Sequence, residues 1–290
     1  MPAGFSHKML RLHLPSRWFY FSLSSSGRCT GENCLLRSDM RWLFIFSFFL
    51  IGSEVSFSQS KVKFAVIISA NMEWKAVRKI IPDAKLQSSP WGQYFFKVVE
   101  KENVLVFQEG WGKVAAAGAT QYVIDQFHPE ILINLGTCGG FEGEVERNQI
   151  ILADRTVIYD IVEAMGDSKE AIADYTTEID LGWLGKNYPV AVKKTVLVSA
   201  DKDLRPEEIE SLIKEYHAVA GDWESGAIAY AAKKNNTKVL ILRGVTDLVG
   251  NKTGEAYGNL TLYEERTEKV MRRLLDDLPL WVRHISATPK

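Results

Sequence analysis

The chain has 290 residues, 46% of them hydrophobic, with 35 Lys and Arg against 36 Asp and Glu and a formal net charge of -1. That is enough for a full-sized core, and the balanced charge excludes a polyelectrolyte surface for nucleic acid. Its three cysteines are too few for a disulfide framework.

The N-terminal region reads as a leader over residues 1–60, followed by a catalytic domain over 61–290. Met40-Arg41 is followed by the apolar run Trp42-Leu43-Phe44-Ile45-Phe46-Ser47-Phe48-Phe49-Leu50-Ile51 and by Ser56-Phe57-Ser58-Gln59. A basic start, a short apolar stretch and a small-x-small site predict a secretory signal peptide near 40–58, with cleavage after Ser58. The expectation is therefore an exported protein. The run is short for a bilayer span, so no membrane association is expected of the mature form. An uncleaved anchor, or an organellar transit peptide with Glu32 and Asp39 as the only acids before Met40, is the alternative, as is a cytoplasmic enzyme. An internal start at Met40 accounts best for the Ser- and Arg-rich residues 1–39.

Residues 62–68 form a β-branched run that predicts a buried strand, and 73–81 have a helical pattern stopped by Pro82. Residues 95–109, broken at Lys101-Glu102-Asn103, predict a hairpin. Gly112-Lys113 opens an alanine-rich helix over 114–127. Residues 131–135 predict a strand that runs into Gly136-Thr137-Cys138-Gly139-Gly140, read as a Gly-rich turn. Another strand follows at 149–158, then a long polar insertion from Tyr159 to Trp183. A short strand at 196–200 precedes a helix over 206–216 with Pro206 in its first turn. Residues 218–220 lead to Glu224, 225–234 form an alanine-rich helix, and 238–245 are a continuous apolar strand. A helix over 262–278 ends at Pro279. This alternation predicts an α/β fold, a single three-layer domain whose mostly parallel or mixed twisted sheet is flanked by helices.

Three carboxylates follow apolar runs: Glu73 in Ser69-Ala70-Asn71-Met72-Glu73-Trp74, Glu224 in Gly221-Asp222-Trp223-Glu224-Ser225, and Asp247 in Arg243-Gly244-Val245-Thr246-Asp247. The carboxyl ends of strands are where α/β folds bind ligands. Three acids there suit acid/base work on a small polar ligand. Each also has a plain structural reading, Glu73 and Glu224 as acids at helix starts and Asp247 as a cap or turn residue. Cys138 reads as a buried filler rather than a nucleophile. None of the five histidines has a metal-ligand neighbour pattern, so no metal and no cofactor are expected.

The order and spacing of these motifs resemble the purine nucleoside phosphorylase superfamily, specifically its 5'-methylthioadenosine/S-adenosylhomocysteine nucleosidase branch, over roughly residues 62–280. The resemblance implies that Asp247 protonates the leaving purine, Glu73 activates water on the opposite face of the sugar, and Glu224 accepts bonds from the ribose hydroxyls. It also implies substrate contacts from Thr137 and Gly139 in the glycine segment. Leu204 would contact the base through its backbone, and Tyr257 would cover the nucleoside. Asp222 would support the ribose site, Trp223 would lie under the ribose, and Trp111 would lie near the 5' substituent. The chemistry fits, because a purine leaves well only when a nitrogen is protonated, and burial holds a carboxyl neutral.

The expected function is hydrolysis of the N-glycosidic bond of 5'-modified adenine nucleosides. A phosphorylase of the same superfamily is the alternative, but the loop Ser69-Ala70-Asn71-Met72-Glu73 has no Arg, and its Glu would repel phosphate. A non-catalytic nucleoside-binding protein is the other alternative, opposed by the presence of all three acids. Asp203, Ala70, Trp111 and Trp223 depart from the family pattern and leave the 5' group open. The partners expected are a small-molecule nucleoside and a second copy of the chain. The resemblance implies a homodimer in which the insertion after Tyr159 pairs the subunits.

Overall fold

A computed structural model describes residues 61–288 of the chain. The leader, the internal start and the cleavage site lie outside the described residues. The first apolar run forms β1 (Phe64–Ile68), buried along its whole length. A strand covered on both faces has no polar side to offer, so its sequence is apolar throughout. It pairs in parallel with β4 (Glu102–Gln108) on one edge and β5 (Ile131–Phe141) on the other. β3 (Gln93–Val99) runs antiparallel to β4 through a turn at Glu100 and Lys101, both with positive φ, and β2 (Gln87–Ser88) extends that edge.

The other strands are β6 (Ile150–Ile158), β7 (Thr177–Glu178), β8 (Lys193–Ser199), β9 (Ala218–Asp222) and β10 (Lys238–Val249). The sheet order is β10-β6-β8-β9-β5-β1-β4-β3-β2, with β7 on β6. β10 also pairs with β5, so β5, β9, β8, β6 and β10 close on themselves. The flanking helices are α1 (Asn71–Ile80), α2 (Gly112–Phe127), α3 (Ser168–Asp174), α4 (Ile209–Tyr216), α5 (Ser225–Lys234) and α6 (Leu260–Ala287). α2 packs on α5 and α1 on α6. The first contact is close because α2 buries Ala116 and Ala119, and α5 buries Ala227, Ala231 and Ala232.

Three sequence expectations need correction. Gly136 to Gly140 is not a turn. β5 continues through it to Phe141, paired with β10 from Gly136 to Phe141 and with β9 at Gly139 and Gly140. Pairing on both edges holds the backbone extended, and the glycines serve close approach instead of chain reversal. Asp247 is not beyond its strand but within β10, beside a register shift between Val245 and Asp247. Such a bulge re-aims a side chain without ending the strand. Finally, Pro279 does not end the last helix, which runs through it to Ala287. An interior proline costs about 3 kcal/mol. Trp281, Val282 and Ile285 are buried beyond it, and burying each such side chain contributes about 1.5–3 kcal/mol. The apolar stripe outweighs the lost bond.

Candidate active site

The C-terminal ends of β1, β5, β9 and β10 surround a cavity of about 540 Å³. Every site residue nominated from the sequence lines it. Glu73, Thr137 and Glu224 lie together on one side. Gly139 joins the two halves, since it pairs with Gly221 on β9 and with Asp247 on β10.

Glu73 occupies the first turn of α1 and is 1% exposed. Its Oε2 accepts from the Ala70 backbone N–H at 3.2 Å, the return bond of a capping box. Its Oε1 accepts from the Thr137 N–H at 2.6 Å and the Thr137 hydroxyl at 2.8 Å. The helix start thus satisfies the carboxylate and aims it at the cavity. Tyr263 of α6 lies 3.5 Å from the Thr137 hydroxyl, and burial pushes its phenol up to about 12, so it stays protonated.

Glu224 holds the N-cap position of α5 without a side-chain capping bond, and accepts instead from the Gly112 N–H at 3.1 Å. Gly112 has φ +84°, and a Cβ there would lie 2.9 Å from Asp201 Oδ1, so the donor needs glycine. Burial pushes the Glu224 carboxyl up. Arg243 opposes this, Asp222 and Glu73 add to it, and the result is about 8. Asp222 accepts from the Ser199 hydroxyl, the Ser225 N–H and the Ser225 hydroxyl, and forms an ion pair with Arg243. It faces the cavity but is committed to these partners, which makes it a strut for the site.

Asp247 is 6% exposed, and its Oδ1 accepts from the Thr246 hydroxyl at 2.7 Å. Burial raises its carboxyl above the usual range, against the hydrogen bond from Thr246 and the charge of Arg266. Beside it, the Tyr257 hydroxyl donates to the Leu204 carbonyl and closes the wall of the cavity. Trp111 and Trp223 stand at Glu224, their rings 5.2 Å apart and tilted by 34°, with Trp111 61% exposed. Burial pushes the Cys138 thiol well up, so it holds its proton. Among the described residues, no cluster of His, Cys, Asp and Glu could hold a metal ion.

Sequence reasoning missed the residue that organises the site. Arg243, fully buried, reaches Asp222 at 2.9 Å, Glu73 at 3.5 Å and Glu224 at 3.6 Å. One cation therefore serves three carboxylates on three elements. The signal was present as a charge inside the apolar run Leu240-Ile241-Leu242-Arg243, because a buried Arg needs partners. Gly136 makes room for it, since a Cβ there would lie 2.2 Å from Arg243 Nη1 and 2.9 Å from Glu73 Oε1. Ser69, Glu109 and Asn134 were missed with it.

Among known proteins, the model of the phosphorylase superfamily matches residues 64–276. A 5'-methylthioadenosine/S-adenosylhomocysteine nucleosidase of Marinomonas sp. is 26% identical over 225 residues, covering 72% of this chain and 96% of that protein. The corresponding nucleosidase of Thermotoga maritima is 28% identical over 167 residues, 57% of this chain and 76% of that protein. The fold is similar to that of Streptococcus pneumoniae MTA/SAH nucleosidase in complex with 8-aminoadenine, with TM-score 0.64 and 20% identity over 77% of this chain and 99% of that one. It is also similar to futalosine hydrolase of Helicobacter pylori, with TM-score 0.63 and 18% identity over 77% and 98% of the chains. With the family model spanning most of the domain, the chain belongs to the phosphorylase superfamily.

Proposed function

We propose that the chain hydrolyses the N-glycosidic bond of 5'-modified adenine nucleosides of the methylthioadenosine and S-adenosylhomocysteine type, releasing adenine. The observation that carries this reading is the placement of a raised carboxyl, Asp247, and a separately held carboxylate, Glu73, on one cavity. Asp247 gives its proton to a ring nitrogen of the leaving adenine. The C1'–N bond breaks with its electron pair going to the base, and positive charge grows on the sugar. Glu73 takes a proton from water as the water oxygen bonds to C1'. Two separated carboxyl groups leave room for that water, as in inverting glycoside hydrolysis. Glu224 accepts the 2'- and 3'-hydroxyls, bonds that strengthen as the sugar becomes cationic.

Phosphate is disfavoured as nucleophile. The only cation among the described residues lining the cavity is Lys202, which pairs with Glu208 at 2.7 Å. Adenine release from methylthioadenosine, followed with and without phosphate, tests the reading. Equal rates are expected, and turnover that requires phosphate would replace hydrolysis with phosphorolysis.

The reading extends to assembly and location. Val114, Val162 and Met165 expose 81%, 90% and 96% of their surface, which supports pairing of two copies through α2 and the segment after Tyr159. Light scattering at micromolar concentration should give twice the monomer mass. The leader at 40–58 supports export, and N-terminal sequencing of the mature protein should then begin at Gln59. Among the described residues, no helix is long and apolar enough to cross a membrane.

A further inference from the structure

Glu109 follows β4 and is fully buried, and its backbone N–H donates to the Ile68 carbonyl at 2.9 Å. One carboxyl oxygen, Oε1, accepts from the Ser69 hydroxyl at 2.6 Å, while Oε2 has no partner. Ser69 has no freedom in this. Its oxygen accepts from Arg243 Nη2 at 3.0 Å and Asn134 Nδ2 at 3.3 Å, so its single hydrogen is committed to Glu109.

Arg243 is already shared. Nε serves Ser225 and Asp222, Nη1 serves the Thr137 carbonyl and Glu73, and Nη2 serves Ser69 and Glu224. An anion at Glu109 would be one more buried charge beside a guanidinium already shared, with an unsolvated oxygen, which is more costly than a buried acid.

We propose that Glu109 is a positioning residue held as the neutral acid, which fixes Ser69 and leaves the Arg243 charge to Asp222 and Glu73. The inference rests on the nucleosidase reading for its effect on turnover. The charged groups facing Glu109 are Glu224, Arg243 and Glu73, and burial outweighs the help that Ser69 and Arg243 give the anion, so the carboxyl lies well above the usual range. Ionised, Glu109 would pull Nη2 across Ser69 and away from Glu224.

Infrared difference spectroscopy of the substrate-free protein, parent minus Glu109→Gln, tests the protonation without requiring turnover. The carbonyl band of a protonated carboxyl should be lost from the parent spectrum at neutral pH. Loss of carboxylate bands instead would overturn the proposal. The positioning role is read in pH profiles of kcat/KM. Glu109→Gln should exceed the parent on the alkaline side by a margin that grows with pH. Glu109→Leu, which cannot accept from Ser69, should fall about tenfold below Glu109→Gln at every pH. Equal profiles for the two variants would reduce Glu109 to a space-filling side chain and overturn the positioning claim. Absence of turnover in the parent with the band present would sink the nucleosidase reading and not the protonation.

Discussion

Replacing Glu224 with glutamine separates what this carboxylate does for binding from what it does to the fold. It is 3% exposed, with Arg243 Nη2 3.6 Å away, and its proton is held up to about 8 against an ordinary glutamate value of 4.5. Between those values the folded chain keeps a proton that the unfolded chain has released. The stability linked to this group is therefore full below 4.5 and is lost as pH rises through about 8. At about 1.4 kcal/mol per pH step, the group costs the fold on the order of 3 kcal/mol at pH 7. Glutamine keeps an acceptor for the Gly112 N–H and carries no charge. Glu224→Gln should thus raise the melting temperature at pH 7 by about 5–10 °C, with a smaller gain at pH 5. The same change removes the charged acceptor for the ribose hydroxyls, so kcat/KM should fall below the parent as pH rises above about 8, where the parent carboxyl ionises, and stay close to it at pH 7. Scanning calorimetry at pH 5, 7 and 9 and adenine release read the two effects. A variant less stable than the parent at pH 7, or a gain that does not grow from pH 5 to 7, would refute the reasoning.

Asp247→Asn keeps the shape of the acid without its proton, so kcat should fall about 10²- to 10⁴-fold while nucleoside affinity, read by calorimetry, stays measurable. Because the acid form works and burial raises its carboxyl, kcat/KM of the parent should decline as pH rises through that raised value. A turnover that increases with pH across neutrality would exclude Asp247 as the acid. Gly136→Ala drives a Cβ to 2.2 Å from Arg243 Nη1, and should destabilise the domain by about 1–3 kcal/mol, visible as a lower urea midpoint. Tyr257→Phe removes the donor to the Leu204 carbonyl and should cost the fold about 1 kcal/mol, lowering the melting temperature by about 2–4 °C, and should raise KM for the nucleoside as the wall loosens.

The parts legible in the sequence were those carried by local pattern. The β-branched run before Glu73 and the alanine-rich helix before Ile131 need only periodicity to be read, and each appears as an element. The acids Glu73, Glu224 and Asp247 stood out because each follows an apolar run in the sequence. Where tertiary pairing overrides local signals, reading failed. Gly136 to Gly140 looks like a turn in isolation and becomes strand only because β9 and β10 flank it. Pro279 looks like a stop until the burial of Trp281 is weighed. Arg243, Ser69 and Glu109 escaped for a third reason. Their meaning lies in contacts between residues 69, 109 and 243, and no one-dimensional spacing encodes them.

The most direct test of the central claim is the fate of the water oxygen. Methylthioadenosine turned over by the full chain in heavy-oxygen water, with phosphate present, should give adenine and a free sugar labelled once at C1. Glu73→Gln should lower the rate of labelled sugar formation about a hundredfold or more. An unlabelled sugar phosphate, or labelled sugar formed at an undiminished rate by Glu73→Gln, would contradict the account.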